Sequence, residues 1–369
     1  MFLWLSQHFR GDFGPLNVFR YVTFRSIGAM ATALMIAMWL FPWFIRLLQE
    51  KQIGQVVRDD GPQSHFSKKG TPTMGGVLLL MAMFLATLLW GDLQNVFVWL
   101  TLVVTLVFGV LGFIDDFLKI RDRNSKGVTE KQKLITQFAT TALVFGLLYT
   151  GWFGKELADS RLYLPFASVK HFAWNIGPIA YTIFACLTVA GYSNAVNLTD
   201  GLDGLAIGPV MISSFTFAVL CYLVGAKFGH FDVAQYLLLP EVPEAHELTI
   251  VLSAVIGAGI GFLWYNTYPA LVFMGDVGAL AVGGTLGMVA VFSKNELLSL
   301  IVNGLFVVEA ASVALQRTWY RRTGRRILRM APIHHHFEKL GWPEPRVTIR
   351  FWIISVMLSL VALASLKLR

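Results

Sequence analysis

The sequence has 369 residues, of which 56% are hydrophobic and 14% are charged, and its formal net charge is +8. A soluble domain carries about 25% charged residues, so this composition excludes an ordinary soluble protein. The excess of Lys and Arg is more typical of the cytoplasmic loops of a membrane protein than of a nucleic-acid-binding surface. Cys186 and Cys221 lie within apolar segments and do not have the spacing of metal ligands.

Apolar segments of about 20 residues recur along the whole chain, and this length is typical of membrane-spanning helices. We predict an all-α integral membrane protein with about ten transmembrane helices, and a single domain over residues 1–369 because no internal repeat is evident. The predicted spans are 23–48, 74–91, 96–117, 132–151, 174–193, 205–225, 248–265, 277–292, 297–316 and 350–367.

Basic residues are distributed unevenly between the predicted loops. The loops after the first, third and ninth spans are rich in Lys and Arg, whereas those after the second, sixth and eighth contain at most one. Because positively charged loops remain in the cytoplasm, we expect loops after odd-numbered spans to be cytoplasmic and both termini to be periplasmic. Lys155, Arg161 and Lys170, after the fourth span, oppose this orientation weakly.

Ionisable groups gather in five loops, and all five follow odd-numbered spans. The predicted topology therefore places every candidate for chemistry on the cytoplasmic face. Ionisable side chains close to the membrane are energetically costly and usually mark a functional site. The groups are Asp59-Asp60, Asp115-Asp116, Asp200 with Asp203, Asp276, and His334-His335-His336.

Asp115 and Asp116 end the third predicted span and are followed by basic residues. Such a pair could simply terminate the helix, with the basic residues as ion-pair partners. Neighbouring side chains on a helix point in different directions. We therefore expect separate roles, in which one carboxylate binds a metal and the other contacts a substrate.

The segment NLTDGLDG, from Asn197 to Gly204, precedes the sixth predicted span. Its Asp residues have the chemistry of a helix N-cap, and its glycines allow a tight turn. If the segment is helical instead, the spacing of three residues places Asn197, Asp200 and Asp203 on one face. The first interpretation gives these residues a structural role, and the second gives them a shared site.

Asp276 lies between Gly275 and Gly278 at the start of the eighth predicted span. Glycines allow the backbone to approach a ligand closely. Asp276 could cap the helix, but its position beside the other carboxylates favours a divalent-cation ligand, since Mg²⁺ takes oxygen ligands of this kind. Phe273, three residues earlier, is either a core residue or a stacking surface.

His334, His335 and His336 form the most distinctive string in the chain. Zinc is disfavoured because adjacent histidines on a short loop do not face one centre and no cysteine is near. Imidazoles beside several arginines suit phosphate binding, and a basic segment at the membrane interface is the alternative. Together with the carboxylates they predict a site for Mg²⁺ and a pyrophosphate, where phosphoryl transfer depends on positioning and charge neutralisation.

Six motifs extend over essentially the whole chain: RDDGPQSH (58–65), KGTPTMGG (69–76), Asp115-Asp116, NLTDGLDG (197–204), FMGDVG (273–278) and APIHHHFE (331–338). In these motifs the sequence resembles the bacterial phospho-N-acetylmuramoyl-pentapeptide-transferases of the polyprenyl-phosphate N-acetylhexosamine-1-phosphate transferase superfamily. The resemblance implies transfer of phospho-MurNAc-pentapeptide from UDP-MurNAc-pentapeptide to undecaprenyl phosphate, which gives lipid I and UMP. It also implies Mg²⁺ dependence, a cytoplasmic-facing site in the bacterial inner membrane, and a homodimer.

The resemblance also assigns roles to individual residues. It makes Asp276 the magnesium ligand and gives Asp115 and Asp116 contacts with the metal or the lipid phosphate, with Asp115 the second candidate metal ligand. One departure is Ala279, where the family usually has Ser; the change removes a hydroxyl but leaves the carboxylate intact. The implied substrate-binding residues are Lys68, Lys69, Asn197, Asp200, Asp203, Asn266, Phe273 (stacking on uracil), Gln316, His334, His335 (also a candidate catalytic residue) and His336.

Two alternatives remain from the sequence. A UDP-GlcNAc:polyprenyl-phosphate GlcNAc-1-phosphate transferase would share the carboxylates, but the string APIHHHFEKLGWPEP favours the muramoyl-pentapeptide enzymes. A transporter of lipid-linked sugars would have ionisable residues near the bilayer midplane and commonly repeated halves. The clustering at one face and the lack of a visible repeat argue against it. Whether transfer is direct or passes through a covalent Asp intermediate stays open at this point.

Overall fold

The structure, a computed structural model, describes residues 1–9, 14–51, 70–122, 127–153, 157–167, 173–228 and 231–367. These ranges are mostly helical, with two short antiparallel hairpins, β1 (Arg161–Tyr163) with β2 (Ala173–Asn175) and β3 (Lys227–Phe228) with β4 (Phe231–Asp232). The helices are α1 (Phe2–Phe9), α2 (Val22–Glu50), α3 (Gly76–Trp90), α4 (Val96–Arg121), α5 (Glu130–Tyr149), α6 (Pro178–Thr199), α7 (Ile207–Gly225), α8 (Val233–Tyr236), α9 (Leu248–Asn266), α10 (Gly275–Phe292), α11 (Glu296–Val302), α12 (Gly304–Thr323), α13 (Ile333–Lys339) and α14 (Glu344–Ala364).

Seven helices of the described part are long and apolar enough to cross a membrane: α2, α4, α6, α7, α9 with the turn that precedes it, α10 and α14. The number rises to eight if α11 and α12, which bend by 84° at their junction, form one broken span. Helix α3 is apolar but shorter. The prediction of a helical, multi-pass membrane protein is therefore confirmed.

Local sequence explains where several helices begin. The Asn95 side chain accepts a hydrogen bond from Val98 N at the start of α4. Thr129 and Gln132 form a capping box that starts α5. Helix α14 begins at Glu344, six residues before the predicted edge, because the prolines on either side of Glu344 suit the N-cap and first turn of a helix.

Helix α10 forms the centre of the bundle. Every residue from Val277 to Phe292 is buried, and α10 packs against α3, α4 and α6. Small residues allow this proximity, since a Cβ at Gly283 would lie 2.5 Å from Tyr192 O. Close approach of backbones at small residues is a common way for membrane helices to associate. The position of Asp276, in the first turn of α10, is thus set by the most buried of the long helices in the described ranges.

The NLTDGLDG segment is neither helical throughout nor an N-cap. Helix α6 ends at Thr199, with Asp200 as its C-cap. Helix α7 starts after Ala206, which makes no side-chain capping bond. The alternative interpretation, in which a helical segment places Asn197, Asp200 and Asp203 on one face, therefore does not apply, because the helix ends at Thr199 and the chain turns after Asp200.

Candidate active site

Three carboxylates from two helices converge at one end of the bundle. Asp115 and Asp116 lie near the end of α4, and each can offer an oxygen within 4.8 Å of one on Asp276. A Cβ at Gly112 would overlap the Asp276 carbonyl oxygen, so α4 and α10 can approach this closely only with glycine there. The adjacent carboxylates thus lie in one site. The expectation that they have separate roles, one at a metal and one at a substrate, stays a prediction.

Two lysines bridge these carboxylates. Lys119 Nζ lies 2.6 Å from Asp115 Oδ2 and 3.1 Å from Asp276 Oδ2. Lys133 Nζ, from the first turn of α5, lies 3.0 Å and 2.8 Å from the same two oxygens. Three carboxylates and two ammonium groups give the site a formal charge of about −1. The carboxylates can bind a cation, and the ammonium groups can bind an anionic substrate.

Backbone groups fix the orientation of two of the carboxylates. Val128 N donates to Asp115 Oδ1 at 2.6 Å, and Val277 N donates to Asp116 Oδ2 at 3.3 Å. Gly275 has φ +74°, and a Cβ there would lie 2.5 Å from Asp116 Oδ2. A residue with a side chain at position 275 would be strained and would displace Asp116.

The KGTPTMGG motif anchors the start of α10. Phe273 N donates to Pro72 O at 2.8 Å, and Gly75 N donates back to Phe273 O at 2.8 Å. Gly76 N similarly donates to Met274 O at 2.9 Å. These bonds hold the half-buried Phe273 at the edge of the site. Lys69, the first residue of the motif, and the preceding Lys68 are candidate substrate-binding residues that lie outside the described residues.

Asp200 lies beside the carboxylate cluster. Its burial, and the nearby charges of Asp276 and Asp203, raise the pKa of Asp200 to about 7, while a hydrogen bond from Gly275 N works in the opposite direction. Asn197, in the last turn of α6, is half-buried. The structure thus brings Asp200 next to the cluster but does not include it among the three convergent carboxylates.

Asp203 and Asn266 bind backbone. Ala270 N donates to Asp203 Oδ2 at 3.0 Å. Asn266 accepts a hydrogen bond from Gly204 N at 3.0 Å and donates one to Val272 O at 2.8 Å. Both side chains are buried, so they hold the loop before α10 against the turn after α6.

Gln316 and the histidines organise the basic segment after α12. The Gln316 amide binds the backbone of Ile327 and Leu328 through three hydrogen bonds. The histidines lie on α13 rather than on a loop, and each faces a different group, which agrees with the argument against a shared zinc ion. These contacts are His334 Nδ1 with Glu309 Oε1 (3.1 Å), His335 Nδ1 with Glu338 Oε2 (2.6 Å), and His336 Nδ1 with Arg329 N (3.0 Å).

Sequence reasoning missed Lys119 and Lys133 as site residues. The sequence could have identified Lys119, because it follows Asp115 by four residues and Asp116 by three. This spacing brings side chains together on a helix. No sequence pattern identifies Lys133, since its approach to Asp276 depends on how α5 packs beside α4.

Comparison with known proteins identifies the family. Residues 98–294 match Glycosyl transferase family 4, and residues 68–80 match Phospho-N-acetylmuramoyl-pentapeptide-transferase signature 1. Proteins named phospho-N-acetylmuramoyl-pentapeptide-transferase are similar over nearly their whole length. The protein from Sorangium cellulosum is 52% identical over 100% of this chain and 99% of its own, and those from Citrifermentans bemidjiense and a Geobacter species are each 52% identical over 97% of both chains.

Proposed function

The chain belongs to the phospho-N-acetylmuramoyl-pentapeptide-transferase family, and we propose that Asp115, Asp116 and Asp276, with Lys119 and Lys133, form its catalytic centre. The enzyme transfers phospho-MurNAc-pentapeptide from UDP-MurNAc-pentapeptide to undecaprenyl phosphate, giving lipid I and UMP for peptidoglycan synthesis. The observation that carries the assignment of the centre is the convergence of three carboxylates and two lysines from α4, α5 and α10.

The donor set of this centre fits Mg²⁺. Its three carboxylates supply the hard oxygen ligands that Mg²⁺ prefers, and Mg²⁺ usually binds one or two such groups together with substrate phosphates. We propose Asp276 and Asp115 as ligands. When bound, Mg²⁺ would neutralise charge on the pyrophosphate.

The protein's own residues perform the remaining tasks of phosphoryl transfer. Lys119 and Lys133 place two positive charges where the pyrophosphate oxygens must approach the carboxylates, which lowers the repulsion between substrate and site. Asp116 orients the acceptor phosphate. Its own orientation is held by Val277 N and by the space that Gly275 leaves beside it.

We propose direct attack by the lipid phosphate, and the ionisation of the acceptor supports this mechanism. A phosphate monoester has a second pKa of about 6, so the acceptor is mostly dianionic at neutral pH and does not need a strong base. Its oxygen forms a bond to the sugar-linked phosphorus, and the bond from that phosphorus to the UMP oxygen breaks with the electron pair leaving on UMP. A covalent route would instead use an Asp carboxylate as the first nucleophile.

The substrate-binding residues are proposed around this centre. Asp200 lies next to it, and Asn197 and Phe273 lie half-buried nearby, in keeping with a nucleoside pocket. Asp203, Asn266 and Gln316 support the surrounding loops through backbone hydrogen bonds. The proposed set also contains Lys68, Lys69, His334, His335 and His336, with His335 as a candidate catalytic residue.

The membrane topology completes the proposal. Adding α3 and α5 to the eight spans gives ten, with both termini periplasmic and the carboxylate centre on the cytoplasmic face of the inner membrane. The abundance of Lys and Arg in the loops after the first, third and ninth spans supports this orientation. We also propose a homodimer, on the basis of the family.

UMP release tests the proposed function directly. Purified protein is incubated with UDP-MurNAc-pentapeptide, with and without Mg²⁺ and undecaprenyl phosphate, and UMP and lipid I are quantified. We expect both products only when Mg²⁺ and the lipid are present. UDP-GlcNAc serves as the matched control substrate, and turnover of UDP-GlcNAc instead of the muramoyl substrate would overturn the assignment.

A further inference from the structure

Glu309 and His334 form a buried pair outside the carboxylate centre. Glu309 lies on α12, His334 lies on α13, and both side chains are 0% exposed. Glu309 Oε1 is 3.1 Å from His334 Nδ1. All four polar side-chain atoms, Oε1 and Oε2 of Glu309 and Nδ1 and Nε2 of His334, are buried, and none makes a hydrogen bond to a described residue, so the Oε1–Nδ1 approach is a close contact without hydrogen-bond geometry. A buried carboxylate is costly without a compensating neighbour, so the burial of Glu309 depends on His334.

The His334 imidazole packs against the turn that follows α6. A Cβ at Gly201 would overlap His334 Nε2 and would come within 3.1 Å of its Cε1. The imidazole has no space to retreat, because it is fully buried with Glu309 behind its other nitrogen. The position of the ring therefore determines the position of Gly201.

A small apolar cluster holds α13 against the same turn. Leu202 and Leu205, from the turn, are buried together with Val347 and Phe351 of α14. Ile333 and Phe337 of α13, which flank His334, and Trp342 pack against this cluster. The apolar contacts hold α13 against the turn. The Glu309–His334 contact fixes the orientation of the imidazole ring at the turn.

The turn that contains Gly201 is connected to the carboxylate centre through Asp200. Asp200 directly precedes Gly201, its carboxyl group is hydrogen-bonded by Gly275 N, and Gly275 precedes Asp276. A shift of Gly201 would therefore move Asp200 relative to the start of α10.

We propose that Glu309 is a positioning residue, which acts through His334 and Gly201 to hold Asp200 in the nucleotide-sugar site. The inference rests on the proposed function, since that function places Asp200 in the substrate pocket. Glu309 itself is fully buried, so its carboxylate is not accessible to a substrate. Loss of its charge lets the imidazole and the turn relax, which weakens binding of the nucleotide sugar without changing the groups that perform transfer.

Glu309→Gln tests the proposal because it keeps the side-chain volume and removes the charge. We expect the KM for UDP-MurNAc-pentapeptide to rise about tenfold, within the range of coupling between contacting residues. We expect kcat and the KM for undecaprenyl phosphate to change less than about twofold, as for a remote substitution. Equilibrium binding of UDP-MurNAc-pentapeptide without lipid should weaken in parallel. A merely structural pair would instead reduce the active fraction, which lowers kcat and leaves this KM unchanged.

The control is Glu130→Gln. Glu130 is exposed and lies 3.7 Å from Arg317 of the same α12, so this variant removes a carboxylate from a surface pair and should match the wild type. In a double variant with Asp200→Asn, Glu309→Gln should raise the KM for UDP-MurNAc-pentapeptide little further, because both substitutions act through the position of Asp200. Additive effects in that double variant, or an unchanged KM in Glu309→Gln, would overturn the proposal.

Gly201→Ala provides an independent route if Glu309→Gln does not fold. It leaves the pair intact but pushes the turn away from the imidazole, and it should raise the same KM. A normal KM in a folded Gly201→Ala protein would contradict the proposal. A wild-type protein that releases no UMP would overturn the proposed function, whereas an active wild type with an unaffected Glu309→Gln variant overturns only this inference.

Discussion

Lys133 Nζ lies 2.8 Å from Asp276 Oδ2, although 143 positions separate the two residues. The same ammonium group is 3.0 Å from Asp115 Oδ2, so one lysine of α5 joins carboxylates from α4 and α10. A positive charge at this point compensates the carboxylates in the resting site. Under the proposed function, the same charge would also attract the phosphate oxygens of the substrate.

Lys133→Met should reduce kcat/KM by about 100-fold, the usual cost of removing one group that stabilises developing charge. The substitution keeps most of the side-chain length, and the folded protein should remain soluble in detergent. Lys131→Met is the matched control, because Lys131 is exposed on the same turn and should have little effect. Equal losses in the two variants would show that total positive charge matters, rather than the contact with Asp276.

Asp276→Asn should abolish transfer while the protein stays folded. The amide keeps the shape of the carboxyl group but loses the charge that the two lysines and a divalent cation require. UMP release and the midpoint of thermal unfolding are measured side by side. Asp122→Asn, at an exposed site after α4, should leave both unchanged. Near-normal turnover of Asp276→Asn at ordinary Mg²⁺ concentration would remove Asp276 from the proposed metal site.

The sequence was sufficient to predict the carboxylates but not all of their surroundings. Asp115, Asp116 and Asp276 could be singled out because charge near a membrane is costly. Lys133 could not, because the spacing that identifies neighbours within a helix does not extend across helices. The spacing of Asp200 and Asp203 left open whether they share a helical face, and the structure shows that Asp203 instead accepts a hydrogen bond from the backbone of the loop before α10.

The fold shows a similar limit. Hydropathy located a helix near each long apolar segment, because burial in lipid demands a continuous apolar helix. It did not reveal the 84° bend between α11 and α12, which occurs at Asn303. This bend matters for the site, since Glu309 and Gln316 beyond it contact the segment that carries the histidines.

Ala279→Ser should have a mild effect. Ala279 is fully buried in the first turns of α10, close in sequence to Asp276. A serine hydroxyl within a helix can bond to a carbonyl oxygen one turn earlier, so it can be accommodated without a new partner. We expect a rate change well below the ~100-fold loss seen when a supporting partner of a metal ligand is removed. A large gain in rate would show that the alanine impairs this enzyme.

Asp200 should make the stability of the protein depend on pH. Its pKa is raised from 3.8 to about 7, so in that interval the folded chain holds a proton that the unfolded chain has released. The stabilisation is complete at low pH and is lost as pH rises through about 7. Asp200→Asn should remove this decline when thermal unfolding is followed from pH 4 to pH 8 with a chelator present. Parallel curves for the two proteins would contradict the assignment of the shift to Asp200.

Isotope exchange separates direct transfer from a covalent route. In direct transfer the lipid phosphate must be present before the bond to UMP breaks, so enzyme freed of lipid should release no UMP. It should also incorporate no labelled UMP into UDP-MurNAc-pentapeptide. A covalent route forms an aspartyl phosphate first, and that step and its reversal need no acceptor. Adding undecaprenyl phosphate to the same preparation, which should restore UMP release, is the control for intact enzyme. Exchange in rigorously lipid-free enzyme, or a trapped phosphorylated Asp115 or Asp116, would rule out direct attack.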